Sequence, residues 1–401
     1  FLEGLFVFNE WKFEPAYRYN GEEKMLNARA LAAAALTPLA ANAQNQINMP
    51  TGVSDAGVVI TELGAEIYGL HMLIFWISVA IGVGVFGIML YSIYAHRKSR
   101  GVKPSQFHEH TGVEIAWTVI PFFILVAMAV PATSTLLEVY DNDDAELSIL
   151  VTGYQWKWKY EYLDADGENI SFFSNLATSQ EQIYNTDVKG ENYLLEVDQP
   201  LVIPVDTKVR FLITASDVIH SWWVPEIAVK RDAIPGFINE AWTRVLAEGV
   251  YRGQCTELCG SYHGFMPVEV HVVSQDEFDD WTASKRGAAV ADATLATQEL
   301  SVDDLMARGA DIYNASCLAC HGAKGEGGLG NAIAGSAIAM GGVDSHLNVI
   351  VNGVAGTAMQ AFGAQLSDVD VAAVTTYQRN AFGNNTGDVV QASDVVSYKE
   401  G

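Results

Sequence analysis

The sequence predicts a multidomain membrane protein in which a two-helix transmembrane hairpin precedes an all-β domain and an all-α domain. Three features predict it: two long apolar stretches, a middle region of short β-rich runs between acidic loops, and helical periodicity near the C-terminus. The net charge is −25 over 401 residues, yet only 18% of residues are charged. Apolar spans beside acidic outer parts explain that combination. A chain with this much negative charge is not expected to bind nucleic acid, because nucleic-acid binding requires a basic surface.

The apolar stretches at 67–95 and 113–137 are each long enough to span a bilayer. Residues 96–103 between them carry four Lys or Arg residues, which places this loop in the cytoplasm. Both soluble flanks then face outward. Glu114, at the start of the second span, is either an acid solvated at the interface or a proton-pathway candidate.

The N-terminal region predicts export. Residues 25–43 combine Arg29, an Ala-rich apolar run and an A-x-A cleavage site at 41–43, which together predict a signal peptide. An ordinary Ala-rich helix is the alternative. Residues 1–24 are left unassigned, and residues 44–66 are an outer N-terminal segment.

The middle region, residues 138–275, predicts an all-β sandwich or barrel. Predicted strands are 147–154, 156–162, 193–197, 201–205, 209–215, 243–247 and 267–273. Residues 154–162 have an aromatic side chain at every even position, which predicts a strand with one aromatic face. A partly helical linker at 276–300, an all-α domain at 301–385 and an acidic tail at 386–401 follow.

A C-x-x-C-H motif predicts a covalent haem. Cys317 and Cys320 can add to the two vinyl groups of one haem, and His321 is then held beneath the iron as an axial ligand. A thioredoxin-like redox pair and half of a zinc site are the alternatives, but the sequence has no second C-x-x-C.

The sixth iron ligand is expected downstream of this motif. Met359 lies just before the last predicted helix and is the preferred candidate. Met340 and His346 are the alternatives. A Met–His pair raises the haem potential, which suits an electron carrier.

A second metal motif lies in a loop between two predicted strands, where Cys255, Cys259, His263 and Met266 follow one another closely. Sulfur with imidazole selects copper or zinc, and a thioether favours copper. His220 supplies a second imidazole. These ligands are too many for one blue copper and suit two coppers bridged by both sulfurs. A disulfide and a core histidine are the alternatives.

With these motifs in place, residues 55–385 resemble subunit II of a haem–copper cytochrome c oxidase, fused to a class I cytochrome c domain. The resemblance rests on the hairpin, the segment 113–118, the aromatic run, the segment around His220 and the loop after Cys255. It implies a cupredoxin-like copper A domain followed by an all-α cytochrome c domain.

The resemblance also implies roles for individual residues. The dinuclear copper A ligands would be His220, Cys255, Glu257 through its backbone carbonyl, Cys259, His263 and Met266. The Glu257 carboxylate would bind magnesium at the boundary with subunit I. Glu114 would lie at the mouth of a proton channel, and Trp156 would accept the electron from cytochrome c. This sequence departs from the family at Lys157, where an aromatic residue is usual, and at Gln360, where the family has proline after the axial methionine.

The implied function is electron input to a proton-pumping cytochrome c oxidase, an enzyme of which this chain is one subunit. Electrons from cytochrome c or another haem donor would pass through the covalent haem and copper A to subunit I, where oxygen is reduced to water. Subunit III is a further expected partner. The expected location is the bacterial inner membrane, with the soluble domains on the periplasmic face. A copper A subunit of a nitric-oxide reductase and a non-enzymatic copper-binding assembly protein are the alternatives.

Overall fold

The computed structural model describes residues 51–53, 58–103, 108–163 and 170–400. The predicted signal peptide at 25–43 and the segment 1–24 lie outside these residues, as do 44–50 and 54–57 of the segment 44–66. Two helices begin the described part, α1 (Glu62–Ala95) and α2 (Thr111–Val139). Each is long and apolar enough to cross a membrane, with mean hydropathies of 2.5 and 2.2, and neither buries its apolar window against the rest of the chain.

Ten strands follow in the described residues: β1 (Leu147–Tyr154), β2 (Lys157–Tyr162), β3 (Ile170–Ser174), β4 (Leu201–Pro204), β5 (Lys208–Ala215), β6 (His220–Val224), β7 (Val229–Ala233), β8 (Asn239–Arg244), β9 (Gly249–Cys255) and β10 (Pro267–Val273). They form two five-stranded sheets, ordered β3-β2-β1-β5-β8 and β4-β10-β9-β6-β7. One apolar core contains side chains of both sheets. A short helix, α3 (Gln180–Ile183), lies between β3 and β4.

The predicted aromatic strand is only partly correct. β1 and β2 form a hairpin in which Tyr154 pairs with Lys157, so Trp156 lies in the turn and not in a strand. The aromatic face is confirmed from Trp158 onward, because Trp158, Tyr160 and Tyr162 are buried. Alternation alone could not reveal the turn, since turn residues can continue the same polar–apolar pattern.

Two other strand predictions need correction. Residues 193–197 form turns with an isolated bridge at Val197, and the strand predicted at 243–247 runs instead over β8. Strands β3, β6, β7 and β9 were not predicted. Several of these strands are rich in polar or charged residues, for example Lys230, Arg231 and Asp232 in β7, and therefore lack an apolar pattern.

Six further helices complete the described chain: α4 (Gln275–Leu295), α5 (Val302–Ser316), α6 (Leu318–His321), α7 (Val343–Asn352), α8 (Asp368–Asn380) and α9 (Ala392–Glu400). Helix α4 is the predicted linker. It begins with a capping box between Ser274 and Glu277. The helices from α5 onward share a second apolar core. The residues expected to form an acidic tail include α9, which places Val395 in this core, so 392–400 is a packed part of the helical domain.

Candidate metal and haem centres

The structure brings the five predicted copper-ligand side chains together at the ends of β6 and β9 and in the loop before β10. The ligand atoms of His220, Cys255 and Cys259 lie within 4.8 Å of one another. The Cys259 Sγ is 3.9 Å from the Cys255 Sγ, 3.5 Å from the His263 Nδ1 and 3.5 Å from the Met266 Sδ. Sulfur and imidazole donors therefore converge on one small volume.

His220 is oriented for metal binding by an acid three residues earlier in the chain. Its Nε2 lies 2.8 Å from the Asp217 Oδ1, while its Nδ1 is buried and has no hydrogen-bond partner. A buried polar atom without a partner is unfavourable unless something else binds it. A hydrogen bond on one ring nitrogen also fixes the tautomer and leaves the other nitrogen free for a metal. The residues therefore fit copper.

The two thiols are arranged so that they can lose their protons and bind a metal as thiolates. The hydrogen bond from Cys259, together with the neighbouring His220 ring and the Ser221 backbone, holds the pKa of Cys255 well below its ordinary value despite burial. The Cys255–Cys259 contact and burial raise the pKa of Cys259. The pair is therefore prone to lose one proton, and a bound cation would favour loss of the second. At His220, burial lowers the pKa, but the hydrogen bond to Asp217 and the neighbouring Cys255 thiol outweigh it and raise the pKa overall.

Trp156 lies directly on the metal loop. Its Nε1 donates to the Cys259 carbonyl oxygen at 3.2 Å, and the Gln155 Nε2 donates to the same oxygen at 2.8 Å. The Trp156 ring is 5.2 Å from the Tyr262 ring. Gly260 permits this contact, because a Cβ there would come within 3.0 Å of the Trp156 ring, and its φ of +118° is one that side chains rarely adopt.

The remaining predicted copper-domain and hairpin residues are placed as follows. The Glu257 side chain is exposed, while its backbone carbonyl oxygen accepts from the Cys255 Sγ at 3.4 Å. Glu114 lies in the first turn of α2, where its Oε1 accepts from the His110 backbone N–H at 3.1 Å. Glu114 therefore caps the start of the helix in this structure.

The haem motif occupies the end of α5 and the short helix α6. The His321 Nδ1 lies 2.7 Å from the Asn331 carbonyl oxygen, which leaves its Nε2 available for iron. A Cβ at Gly330 would come 2.9 Å from the His321 ring, so the glycine allows the backbone to lie against the imidazole. Burial raises the pKa of Cys317 to about 12. The donor set and its orientation fit a c-type haem.

The three candidates for the sixth ligand differ in their environments. Met359 is partly buried and packs against the same core as Cys317. Met340 is 49% exposed. His346 is buried, and its Nε2 is hydrogen-bonded to the Gln378 Oε1 at 2.9 Å. Burial lowers the pKa of His346 to about 4, so it is a neutral core histidine.

The haem domain contacts the copper domain beside Trp156. The Gln360 Nε2 donates to the Gln155 carbonyl oxygen at 2.9 Å and to the Asp217 Oδ2 at 3.1 Å. The Lys157 ammonium lies 4.5 Å from the centroid of Phe173 and 5.0 Å from that of Phe362. Sequence reasoning missed the roles of Asp217, Gln155 and Asn331. Their signals were weak: an acid near His220, a polar residue before Trp156, and an asparagine in a Gly-rich loop.

Comparison with known proteins gives three family matches. Residues 147–273 match the family described as cytochrome c oxidase subunit II, periplasmic domain, and residues 48–134 match its transmembrane domain. Residues 304–377 match the family described as cytochrome c oxidase, cbb3-type, subunit III.

Individual relatives agree. The chain is 44% identical to a probable cytochrome c oxidase subunit 2 of Rickettsia bellii, over 56% of this chain and 81% of the relative. It is 35% identical to cytochrome c oxidase subunit 2 of Cereibacter sphaeroides, over 56% of this chain and 78% of the relative. A solved structure, the periplasmic domain of cytochrome oxidase subunit II from Bradyrhizobium japonicum, is 39% identical; the match covers 36% of this chain and 96% of that one, with a TM-score of 0.32.

These matches confirm the predicted fold class: a hairpin, a copper domain and a cytochrome c domain. They imply copper and a c-type haem as cofactors, an oxidase subunit I as partner, and a membrane protein with soluble domains of the periplasmic type. The chain therefore belongs to the cytochrome c oxidase subunit II family, and it is a subunit of that oxidase enzyme with a cytochrome c domain fused behind its copper domain.

Proposed function

We propose that this chain is the electron-input subunit of a proton-pumping oxidase, and that its own haem domain delivers electrons to its own copper domain. The bound haem and copper would supply one-electron redox chemistry between an external haem donor, such as cytochrome c, and subunit I. The observation that carries this proposal is the contact between the domains, where Gln360 of the haem domain hydrogen-bonds Gln155 and Asp217 beside the metal loop.

The copper domain would hold two coppers through His220, Cys255, the Glu257 carbonyl, Cys259, His263 and Met266. The unpartnered Nδ1 of His220 and the lowered pKa of Cys255 support this assignment. Zinc is the poorer fit, because five converging side chains that include a thioether exceed the four nitrogen and sulfur ligands it takes. Asp217 would hold the His220 ring in place, and the buried sheet core behind it would keep the ligands fixed.

The haem domain would attach haem through Cys317 and Cys320. His321 would be the lower axial ligand, oriented by the Asn331 carbonyl oxygen. Met359 is favoured over Met340 as the upper ligand because it packs on the same apolar core as Cys317, whereas Met340 is 49% exposed. Trp156 would be the entry point for electrons to copper, since its indole donates to the carbonyl of Cys259.

Several finer expectations belong to the same proposal. The exposed Glu257 carboxylate would bind magnesium against subunit I. Glu114 would release its hydrogen bond to His110 when it serves the entrance of a proton channel. Both soluble domains would face the periplasm, as the basic loop at 96–103 predicts, and subunit III would complete the assembly.

Oxygen consumption by the purified complex tests the proposed function, with nitric oxide as the competing substrate. We expect oxygen to be consumed with reduced cytochrome c as donor. Turnover of nitric oxide without oxygen consumption would show a nitric-oxide reductase instead. Cys259→Ser is expected to remove the near-infrared copper absorption while the haem spectrum stays intact, and persistence of that absorption would refute the ligand assignment.

A further inference from the structure

Gln360 joins the two soluble domains through its side-chain amide. Both N–H groups of Nε2 have acceptors in the copper domain, the Gln155 carbonyl oxygen and the Asp217 Oδ2. The Gln360 Oε1 accepts from the Gln365 Nε2 at 3.2 Å. Gln365 in turn donates to the Ala361 carbonyl oxygen at 2.7 Å, which ties it to the same loop. Gln365 of the haem domain therefore fixes the Gln360 amide, and both N–H donors of that amide point towards the copper domain.

The acceptor Asp217 also belongs to the metal site. Its Oδ1 lies 2.8 Å from the His220 Nε2 and accepts from the Val218 N–H at 2.6 Å. Its Oδ2 accepts from the Gln155 N–H at 2.7 Å and from Gln360. One carboxylate thus holds the ring of a predicted copper ligand and also holds the haem domain.

We propose that Gln360 is a positioning residue that docks the haem domain of this chain onto its copper domain through Asp217 and Gln155. This inference rests on the proposed function, because a fixed position benefits a haem domain only if it passes electrons to copper. The partner for this surface is the same chain's haem domain. A group that holds two reacting centres in one geometry lowers the entropic cost of bringing them together at each turnover.

The two departures from the family pattern meet at this interface. A proline at position 360 has no side-chain N–H and could make neither hydrogen bond. Lys157 stands where the family usually has an aromatic residue, and its ammonium contacts the rings of both Phe173 of the copper domain and Phe362 of the haem domain. Each unusual residue therefore contacts the other domain, Gln360 through Gln155 and Asp217, and Lys157 through Phe362.

The Asp217 carboxylate at the interface explains why residue 360 carries a neutral amide side chain. Asp217 is an acceptor that already binds three other donors, so a neutral donor can join it without bringing a second negative charge. A glutamate at 360 would place a carboxylate against Asp217, and like charges at this distance repel. An alanine would leave the fourth position on Asp217 without a protein donor.

Hydrogen exchange in the intact oxidase complex tests the proposal, together with the rate of haem-to-copper electron transfer after flash reduction. The variants are Gln360→Ala and Gln360→Glu. Gln298→Ala is the matched control, because Gln298 is an exposed glutamine in the segment between α4 and α5. Haem and near-infrared copper spectra are recorded for each variant, which shows whether both centres are loaded.

Gln360→Ala is expected to raise exchange in the peptides 154–160 and 355–366 by about tenfold, the order of effect for loss of a hydrogen bond to a charged group. Electron transfer should slow with the haem potential unchanged. Gln360→Glu should have a larger effect, and Gln298→Ala should match the wild type. Intact spectra with wild-type exchange in Gln360→Ala or Gln360→Glu would overturn the inference.

Two outcomes separate this inference from the proposed function. If the wild type lacks the near-infrared copper band, the proposed function fails, whatever the exchange data show at the interface. If Gln360→Ala loses its haem spectrum, Gln360→Asn takes its place, since it keeps the amide on a shorter side chain that cannot reach both acceptors. Wild-type exchange in Gln360→Asn with normal spectra would equally overturn the docking role.

Discussion

Replacing Lys157 by methionine should change how stability depends on pH. Lys157 is only 6% exposed, and burial lowers its pKa from 10.5 to about 8, although the nearby charges of Cys317, Asp198 and Asp217 act to raise it. Attachment of haem would convert Cys317 to an uncharged thioether, which removes one contribution that raises the pKa of Lys157 and leaves the direction of the shift unchanged. The folded protein therefore binds a proton at Lys157 less tightly than the unfolded chain does.

The sign and size follow from linkage. Below pH 8 the lysine is charged in both states, and the shift corresponds to a penalty of about 3 kcal/mol. As the pH rises from 8 towards 10.5, the folded protein loses this proton before the unfolded chain does, so the penalty falls and stability rises. Between pH 7 and pH 9 the change is about 1 kcal/mol. Cation–π contacts with Phe173 and Phe362 offset part of the penalty, by up to about 2 kcal/mol.

The assay is urea unfolding of the copper domain in the purified complex, followed by loss of the near-infrared copper band at pH 7 and pH 9. Relative to Lys157→Met, the wild type should gain about 1 kcal/mol over this range. Lys189→Met is the matched control, because Lys189 is exposed and lies over the Tyr193 ring at 4.1 Å. A difference between wild type and Lys157→Met that does not change with pH would refute the reasoning.

Three other predictions concern the haem domain and the surface charge. Met359→Ala should lower the haem potential, because a Met–His pair raises it; an unchanged potential would redirect the assignment to Met340. Arg379→Met should destabilise the haem domain by about 3 kcal/mol in urea unfolding. The buried guanidinium donates to the Ala339 and Gly341 carbonyl oxygens and pairs with Asp388, and the variant loses these interactions. An unchanged urea midpoint would contradict this prediction. Oxidation of a basic cytochrome c should slow as ionic strength rises, since the chain carries a net charge of −25; a rate independent of salt would assign the charge to solubility.

Much of the fold could be predicted because its signals are local. The hairpin helices are continuous apolar stretches, and the boundaries of β1 and β10 coincide with alternating or apolar runs. Strands β6 and β7 could not be predicted because each is only five residues long and neither alternates between polar and apolar side chains, so their pairing is visible only in the folded sheet. The turn at Gln155–Trp156 interrupts an aromatic pattern that continues unbroken in the sequence.

In the candidate sites, too, the residues with a local sequence signal could be predicted and the residues that meet only in the folded chain could not. Cysteine and histidine spacing reveals Cys255, Cys259, Cys317 and Cys320, because metal and haem chemistry restrict residue type and spacing. Asp217 and Gln360 could not be predicted as partners, since they are 143 residues apart and meet only after both domains have folded. The sequence shows that Gln360 departs from the family pattern, but it does not show that the loop carrying Gln360 faces the copper domain.

The copper content of the purified complex, compared between wild type and Cys259→Ser, tests the central claim most directly. If His220, Cys255, Cys259, His263 and Met266 hold a dinuclear centre, the variant should lose two copper atoms per complex while the haem iron stays constant. An unchanged copper content in the variant would contradict a dinuclear centre at these residues.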